Sequence, residues 1–395
     1  MAGMFYTAVL GVLALVIGGF VNGRIGFLRR VCIPSPVTGG LVVSLVFLAL
    51  HCFTGSVYSF DATLKDVCMV LFFTSIGLQA DFKVLKSGGK PLVVMVILVA
   101  VLIIMQNLIG VFLAGTMGQT RLLGMAVGSI TMCGGHGTAG GFCGLLEQMG
   151  LRNAETVSMA AATAGLLCGS LLGGPIANLL IVRNGLCRRE SREPSDSVPQ
   201  TVCEAAAPLG QPGLYKGACI LIVAAGLGFV LNALLARTGL SFPVYFGSLI
   251  MGIVIRNVSD LLPGCPKLSV AGIRSIGEIS LSVFLGMAMA TLKLWELSEI
   301  ALPMLIILLA QVLAMGLFSY FLAFPLLGRD YDAALLVSGL CGFGLGATPN
   351  AMANMSAVCS KHRYSARPFV IIPMVGALFV DLINVAVITF FLNVL

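Results

Sequence analysis

Apolar residues along this chain fall in long, nearly unbroken runs, not in the alternation of a strand or the one-sided stripe of a soluble helix. A helix that crosses a bilayer needs about 20 mostly apolar residues. Breaking the chain at its charged and Gly/Pro-rich stretches predicts spans near 4–22, 36–53, 66–82, 91–117 and 155–182, and a second set near 214–236, 243–257, 269–292, 299–324 and 367–393. Two more apolar stretches, 121–147 and 330–358, are crowded with glycine at their centres and read as re-entrant or broken segments. Non-helical backbone at membrane depth survives only where protein or a water-filled cavity satisfies its polar groups, so two such segments point to a site.

The expected fold class is therefore an all-α membrane protein, with a first transmembrane repeat over 1–182, a linker over 183–213 and a second repeat over 214–395. The linker carries Arg183, Arg188, Arg189, Glu190, Arg192, Glu193, Pro194, Pro199 and Pro212. The halves match at a nearly constant spacing. Pro36-Val37 with Gly40 is met again as Pro243-Val244 with Gly247, Lys83 falls on Lys293, Gly135-His136-Gly137 on Gly344-Leu345-Gly346, and Gly165 on Gly376. Five spans per half, an odd number, put the two repeats in inverted topology.

Charge tests that arrangement. Of the 23 Lys and Arg, 18 fall on the face reached after the first span, among them Arg24, Arg29 and Arg30, and only Lys65, Arg121, Arg152, Arg237 and Lys293 fall on the other. The basic-rich face is cytoplasmic by the positive-inside rule. Both termini are then expected outside and the linker in the cytoplasm. The two glycine-rich segments enter from opposite sides, with their tips near the bilayer midplane, where transporter sites lie.

Composition narrows the function classes. Of the 395 residues, 58% are hydrophobic and 10% charged, with a mean hydropathy of +1.04. Soluble domains average about 25% charged residues, so lipid is this chain's main solvent. The net charge of +7 then speaks to topology and not to nucleic acid. Twelve cysteines are spread singly, with no C-x-x-C pair and no His/Cys cluster at zinc spacing, so unpaired thiols and no transition metal are expected. The first apolar run has its basic residues after it, the reverse of a signal peptide, and is kept as the first helix.

The first glycine-rich centre reads Gly128-Ser129-Ile130-Thr131-Met132-Cys133-Gly134-Gly135-His136-Gly137-Thr138. A broken helix presents amide N–H groups to a carboxylate while free carbonyls coordinate sodium, and glycine lets backbone approach a ligand. Glycine also permits close helix packing, which is the favoured reading for Gly169, Gly173 and Gly174. His136 could bind a carboxylate, exchange a proton or only hydrogen-bond within the bundle. The second centre reads Cys341-Gly342-Phe343-Gly344-Leu345-Gly346-Ala347-Thr348-Pro349-Asn350 and lacks the Lys-Ser/Thr of a nucleotide-binding loop. Asp381 and Asn384 share a helix face, and an acid among Phe379, Val380, Leu382 and Ile383 is a cation-site candidate unless a basic residue pairs with it. Glu278 is similar in kind but within reach of Arg274, and Gln106-Asn107 is a further polar point. One intramembrane histidine and scattered serines supply no base, nucleophile and orienting group, so no enzyme is expected.

At these residues the chain resembles the bacterial sodium/glutamate symporter family. Gly128 to Thr131, Gly134 to Thr138, Cys341 to Pro349, Pro373-Met374-Val375-Gly376-Ala377, Lys293-Leu294-Trp295-Glu296-Leu297, Asn107, the Pro36-Val37 entry and Ser75-Ile76-Gly77-Leu78 are similar to its pattern, over nearly the whole chain apart from the linker. The resemblance implies an inner-membrane, homodimeric symporter with inverted five-span repeats that couples sodium entry to L-glutamate uptake, with sodium as coupling ion and no other cofactor. A fixed dimerising scaffold and a mobile unit carrying the glycine-rich centres follow from likeness to elevator-type carriers. On this reading Ser129, Thr131, Gly135, His136, Gly137, Thr138, Gly346, Thr348 and Asn350 serve substrate. Gly342, Gly344, Asp381, Asn384 and Asn107 serve sodium. Leu340 and Glu278 depart from the family pattern, where a polar residue and an uncharged amide are expected. A sodium/proton antiporter and a sodium-coupled carrier of another small organic anion are the alternatives.

Overall fold

The computed structural model describes residues 3–30, 32–55, 58–81, 89–186, 211–239, 241–259, 270–297 and 300–395. Lys83 and residues 187–210 of the expected linker lie outside the described residues. The regular elements are helices: α1 (Met4–Arg24), α2 (Ser35–Thr54), α3 (Thr63–Gln79), α4 (Gly89–Thr116), α5 (Arg121–Ala126), α6 (Gly135–Gln148) and α7 (Ala154–Arg183). The same order is met again as α8 (Gln211–Leu235), α9 (Phe246–Ser259), α10 (Val270–Ala290), α11 (Ala301–Leu326), α12 (Tyr331–Gly344), α13 (Thr348–Cys359) and α14 (Ala366–Val394).

Among the described residues, eight helices are long and apolar enough to cross a membrane. These are eight of the ten predicted spans; α3 and α9, with 17 and 14 residues, fall short. At 1.5 Å per residue they reach only about 25 and 21 Å. They cross each other closely, because a Cβ on Gly77 would sit 2.2 Å from the Leu249 carbonyl oxygen and one on Gly252 2.8 Å from that of Thr74. The outward faces are apolar. On α1, Phe5, Val9, Val16 and Phe20 are each more than half exposed, as a lipid-facing helix requires.

Two local devices are shared by both halves. Asn22 donates to the Ile33 carbonyl at 3.0 Å where α2 begins. Asn232 donates to the Val244 carbonyl and accepts from the Gly247 N–H at 2.8 Å where α9 begins. Each amide satisfies backbone at a helix start that has too few partners of its own. Beside them, Gly18 and Gly39 bring α1 onto α2, and Gly228 and Gly247 bring α8 onto α9, with no room for a Cβ at any of the four. Gly39, not Gly40, does the work of Gly247; Gly40 packs on Met289 and Ala290.

The packing sorts the helices into two bundles. The first gathers α1, α2 and α3 with α8, α9 and α10; the second gathers α4 to α7 with α11 to α14. The halves are thus interleaved, each giving its first three helices to one bundle and the rest to the other. Where the bundles face each other, α6 turns glycines to aromatic rings of the first bundle: Gly137 to Phe72, Gly140 to Phe284, and Gly141 to Tyr245 and Phe73. Phe73 and Tyr245 stack at 3.7 Å between centroids, with Phe142 edge-on to Tyr245. The bundles are tied by Lys65 of α3 and Glu155 of α7, whose charged groups are 2.6 Å apart, and by Asn393 of α14 with the Ser241 backbone.

Candidate functional site

Both glycine-rich stretches are interrupted helices. In each, the entering helix is capped by a side chain: Thr120 Oγ1 accepts the Leu122 N–H at 3.1 Å before α5, and Asp330 Oδ1 accepts the Ala333 N–H at 2.7 Å before α12. The helix that resumes after each break has no side-chain cap, since Gly134 precedes α6 and Ala347 precedes α13. On α6 this leaves the N–H groups of Gly135 to Gly137 for something else to satisfy, and on α13 that of Thr348, since Pro349 has none and the Asn350 N–H donates to the Ala347 carbonyl at 3.0 Å. Gly135 opens α6 at a φ of +59°, a conformation that glycine adopts at no steric cost. Pro349 fits the first turn of α13, where a missing N–H costs nothing.

The two tips meet. A Cβ on Gly135 would stand 2.9 Å from the Gly346 carbonyl oxygen. Around that contact lies a cavity of about 230 Å³, lined by Cys133 to Thr138 of the first break, Gly346 to Pro349 of the second, and Gly376, Val380 and Asp381 of α14. Pro34, Phe72, Leu281 and Leu285 from the first bundle's side, with Leu166 and Phe343, complete its wall. Asp381 follows a π-helical turn at Gly376–Val380, itself preceded by Pro373. Such turns interrupt the helical ladder and are frequent at functional sites. Among the described residues Asp381 makes no ion pair, so no basic residue neutralises it.

Of the sequence-derived candidates, Gly135, His136, Gly137, Thr138, Gly346, Thr348 and Asp381 line this cavity. Ser129, Thr131, Asn107, Gly342, Gly344, Asn350 and Asn384 are buried behind it. There they hold the breaks in place. Asn107 Oδ1 accepts the Ser129 N–H at 3.0 Å, and Asn384 donates to the Ser129 carbonyl at 3.1 Å. Thr131 donates back to the Ala126 carbonyl at 2.9 Å. Asn350 and Asn354 donate to the Leu166 and Gly169 carbonyls of α7 at 3.0 and 2.9 Å. The Gly342 carbonyl accepts the Ala347 N–H at 3.2 Å, and the Gly344 carbonyl accepts from Gln106 Nε2 at 2.7 Å. Each half's last helix therefore grips the other half's break.

His136 bonds through Nε2 to Thr163 Oγ1 at 3.0 Å, while Thr163 donates to the Met159 carbonyl at 2.9 Å. The threonine proton is committed, so the histidine nitrogen is the donor in this network. Gly169 and Gly173 permit close approach to the second break, whereas Gly174 faces open space. Sequence reading does not single out Gln311, which donates to the Gln106 carbonyl at 2.7 Å and steadies the residue that serves Gly344. It also misses Thr163 and Asn354. Thr163 lies in an apolar run and Asn354 between Asn350 and Ser356, and only the fold reveals the partner of each.

A sequence profile of the family described as Sodium/glutamate symporter matches residues 2–364. The Sodium/glutamate symporter of Escherichia coli (strain K12) is 38% identical over 394 residues, 98% of this chain and 96% of the relative. That of Haemophilus influenzae (strain ATCC 51907 / DSM 11121 / KW20 / Rd) is 38% identical over 391 residues, 97% of this chain and 95% of the relative. The chain belongs to the sodium/glutamate symporter family. It is a family of transporters, not of enzymes.

Glu278, where the resemblance leads one to expect an uncharged amide, is exposed on α10. It does not pair with Arg274, whose Nε donates to Gln79 Oε1 at 3.1 Å. It shares a helix face with Leu281 and Leu285, which line the cavity between the breaks. Leu340, where the resemblance leads one to expect a polar residue, is fully buried in α12. A second cavity of about 430 Å³ lies along the far part of α6, lined by Gly140, Gly141, Cys143, Glu147, Lys65, Asp66, Glu155 and Lys293 among others.

Proposed function

We propose that this chain is a sodium-coupled symporter that imports L-glutamate, or a close acidic analogue, across the bacterial inner membrane. The observation that carries this reading is the pair of uncapped helix starts, α6 and α13, facing one cavity that also holds an unpaired carboxylate. Helix N-termini carry partial positive charge and free N–H groups, which suits the carboxylates of an acidic amino acid. Among the described residues no lysine or arginine lines the cavity, so backbone supplies the positive field. Substrate is held by the N–H groups of Gly135 to Gly137, by Gly346, and by Thr138, Thr348 and His136. Ser129, Thr131 and Asn350 shape the backbone behind them. Sodium is assigned to Asp381 and Asn384, with the carbonyls around Gly342 and Gly344 and with Asn107 beside the first break.

Transport follows by elevator-type alternating access. The second bundle carries both breaks and moves against the first, which serves as scaffold of a homodimer. The two halves are inverted repeats, a reading supported by the repeated order of elements and by the paired Asn22 and Asn232 devices. The glycine-rich segments re-enter from opposite sides, both termini lie outside and the linker is cytoplasmic. Sodium and substrate stabilise the same arrangement of the breaks, so they bind cooperatively.

The test is uptake of radiolabelled L-glutamate into proteoliposomes with an inward sodium gradient, and again with potassium replacing sodium. Uptake with sodium alone is the expected result. No uptake in either case from folded protein would overturn the substrate, and a sodium-driven pH change without solute would favour an antiporter.

A further inference from the structure

We infer that Thr163 is a positioning residue that fixes the tautomer of His136, so that His136 Nδ1 meets the substrate as a bare acceptor for its ammonium group. This role rests on the amino-acid transport proposed above and names the group that reads the amine.

The hydrogen bonds set the place of the proton. Thr163 Oγ1 has one proton, which goes to the Met159 carbonyl at 2.9 Å. The 3.0 Å contact between Thr163 Oγ1 and His136 Nε2 then needs its proton from the ring. A neutral imidazole protonated on Nε2 keeps a lone pair on Nδ1. That nitrogen has no hydrogen-bond partner among the described residues. It is also not one of the buried side-chain atoms left without a partner, which places it at the open edge of a residue only 6% exposed. The open space that His136 lines is the cavity between the breaks. Thr163 does not line that cavity, although Leu166, about one turn further along α7, does. The threonine therefore acts on substrate only through the ring.

The chemistry of the substrate class gives this tautomer its purpose. An acidic amino acid brings carboxylates, which accept, and an ammonium group, which only donates. The uncapped start of α6 offers N–H groups to a carboxylate. Among the described side chains that line the cavity, the oxygen and nitrogen acceptors are the Asp381 carboxylate, the Thr138 and Thr348 hydroxyls and His136 Nδ1. Hydroxyls serve in either sense, and Asp381 is assigned to sodium. Nδ1 is the acceptor that remains, and it sits on the first turn of α6 beside the free N–H groups. One turn of helix thus reads both charged groups on the α-carbon. The opposite tautomer would turn a donor toward the ammonium group and favour an acid without an amine.

The test is competition in proteoliposomes under a sodium gradient. Uptake of radiolabelled L-glutamate is inhibited by unlabelled L-glutamate or by glutarate, the same molecule without its amine, and the ratio of half-inhibitory concentrations, glutarate over glutamate, is read. The ratio should fall about tenfold or more in Thr163→Val, the effect of losing one charge-assisted hydrogen bond, and stay at the parent's value in Thr163→Ser. His136→Gln keeps an N–H for Thr163 but has nothing in place of Nδ1, so it should lower the ratio too and serves if the valine variant does not fold. A parent-like ratio in both Thr163→Val and His136→Gln overturns the inference, because a purely structural role slows uptake without moving selectivity. A second readout needs no substrate: nitrogen NMR of the histidine rings in nanodiscs, three in this chain, with His136→Gln identifying the signal. A bare Nδ1 is expected in the parent; a protonated one overturns the tautomer. A folded parent protein that takes up no L-glutamate would instead remove the transport reading, and the nitrogen spectrum would still tell the two failures apart.

Discussion

Asp381 and the amides around it show how single side chains hold an irregular backbone together. A buried N–H left without its acceptor costs about 1–3 kcal/mol. Asn107→Leu takes the acceptor from the Ser129 N–H, so a loss of stability of about that size is expected in a thermal melt, while Asn107→Asp should recover most of it. Asp381→Asn keeps shape but removes the charge; sodium-dependent uptake should be lost while the melt in potassium stays near the parent's. Full activity in that variant would show that the carboxylate takes no part in transport. Asp381 was legible in the sequence because an acid flanked by Phe379, Val380, Leu382 and Ile383 has no cheap explanation. Gln311 was not, since one glutamine in an apolar run reads as ordinary packing and its partner Gln106 is remote in sequence.

At the scale of elements, the breaks and their glycines are the features that sequence located best. Gly/Pro punctuation within apolar runs has few meanings at membrane depth. The register between the halves was harder. By position after the break, Gly135 corresponds to Thr348 and not to Gly344, because the first break spans residues 127–134 and the second only 345–347. Matching glycine to glycine therefore slips the alignment. The aromatic partners of α6 were invisible for a similar reason, as Phe72, Phe73, Tyr245 and Phe284 sit on three other helices or their approaches. A Cβ on Gly141 would come within 2.4 Å of the Tyr245 ring, and that tyrosine is fully buried. Gly141→Val should thus slow uptake sharply while the protein still folds in detergent, and adding Tyr245→Leu should restore part of the rate.

For the molecule as a whole, charge pattern and repeat order suggested its two halves, but only packing shows that they interleave as two bundles. Sequence periodicity reports what a helix buries, not which neighbour buries it. Lys65 and Glu155 form the one ion pair between bundles among the described residues, beside the second cavity. If the bundles move against each other, this contact must break and re-form. Glu155→Gln weakens it without changing shape, so Cys143, buried in that cavity's wall, should react faster with a maleimide. An unchanged labelling rate would mean that the ion pair does not hold the cavity closed.

The crossed grip of the last helices has a consequence for how such a protein can arise. Asn384 of the second half holds the first break, and Asn350 and Asn354, on α13 just after the second break, hold on to α7 of the first half. A single half would offer one helix start, with Asn107 behind it but without the amide that the opposite half's last helix supplies. On the inverted-repeat reading proposed above, an ancestor of half this length would have needed a second copy, head to tail with it, to supply that grip. Fusion of two such copies would leave each free to diverge, in keeping with two breaks of different length and an acid, Asp381, in the second half alone.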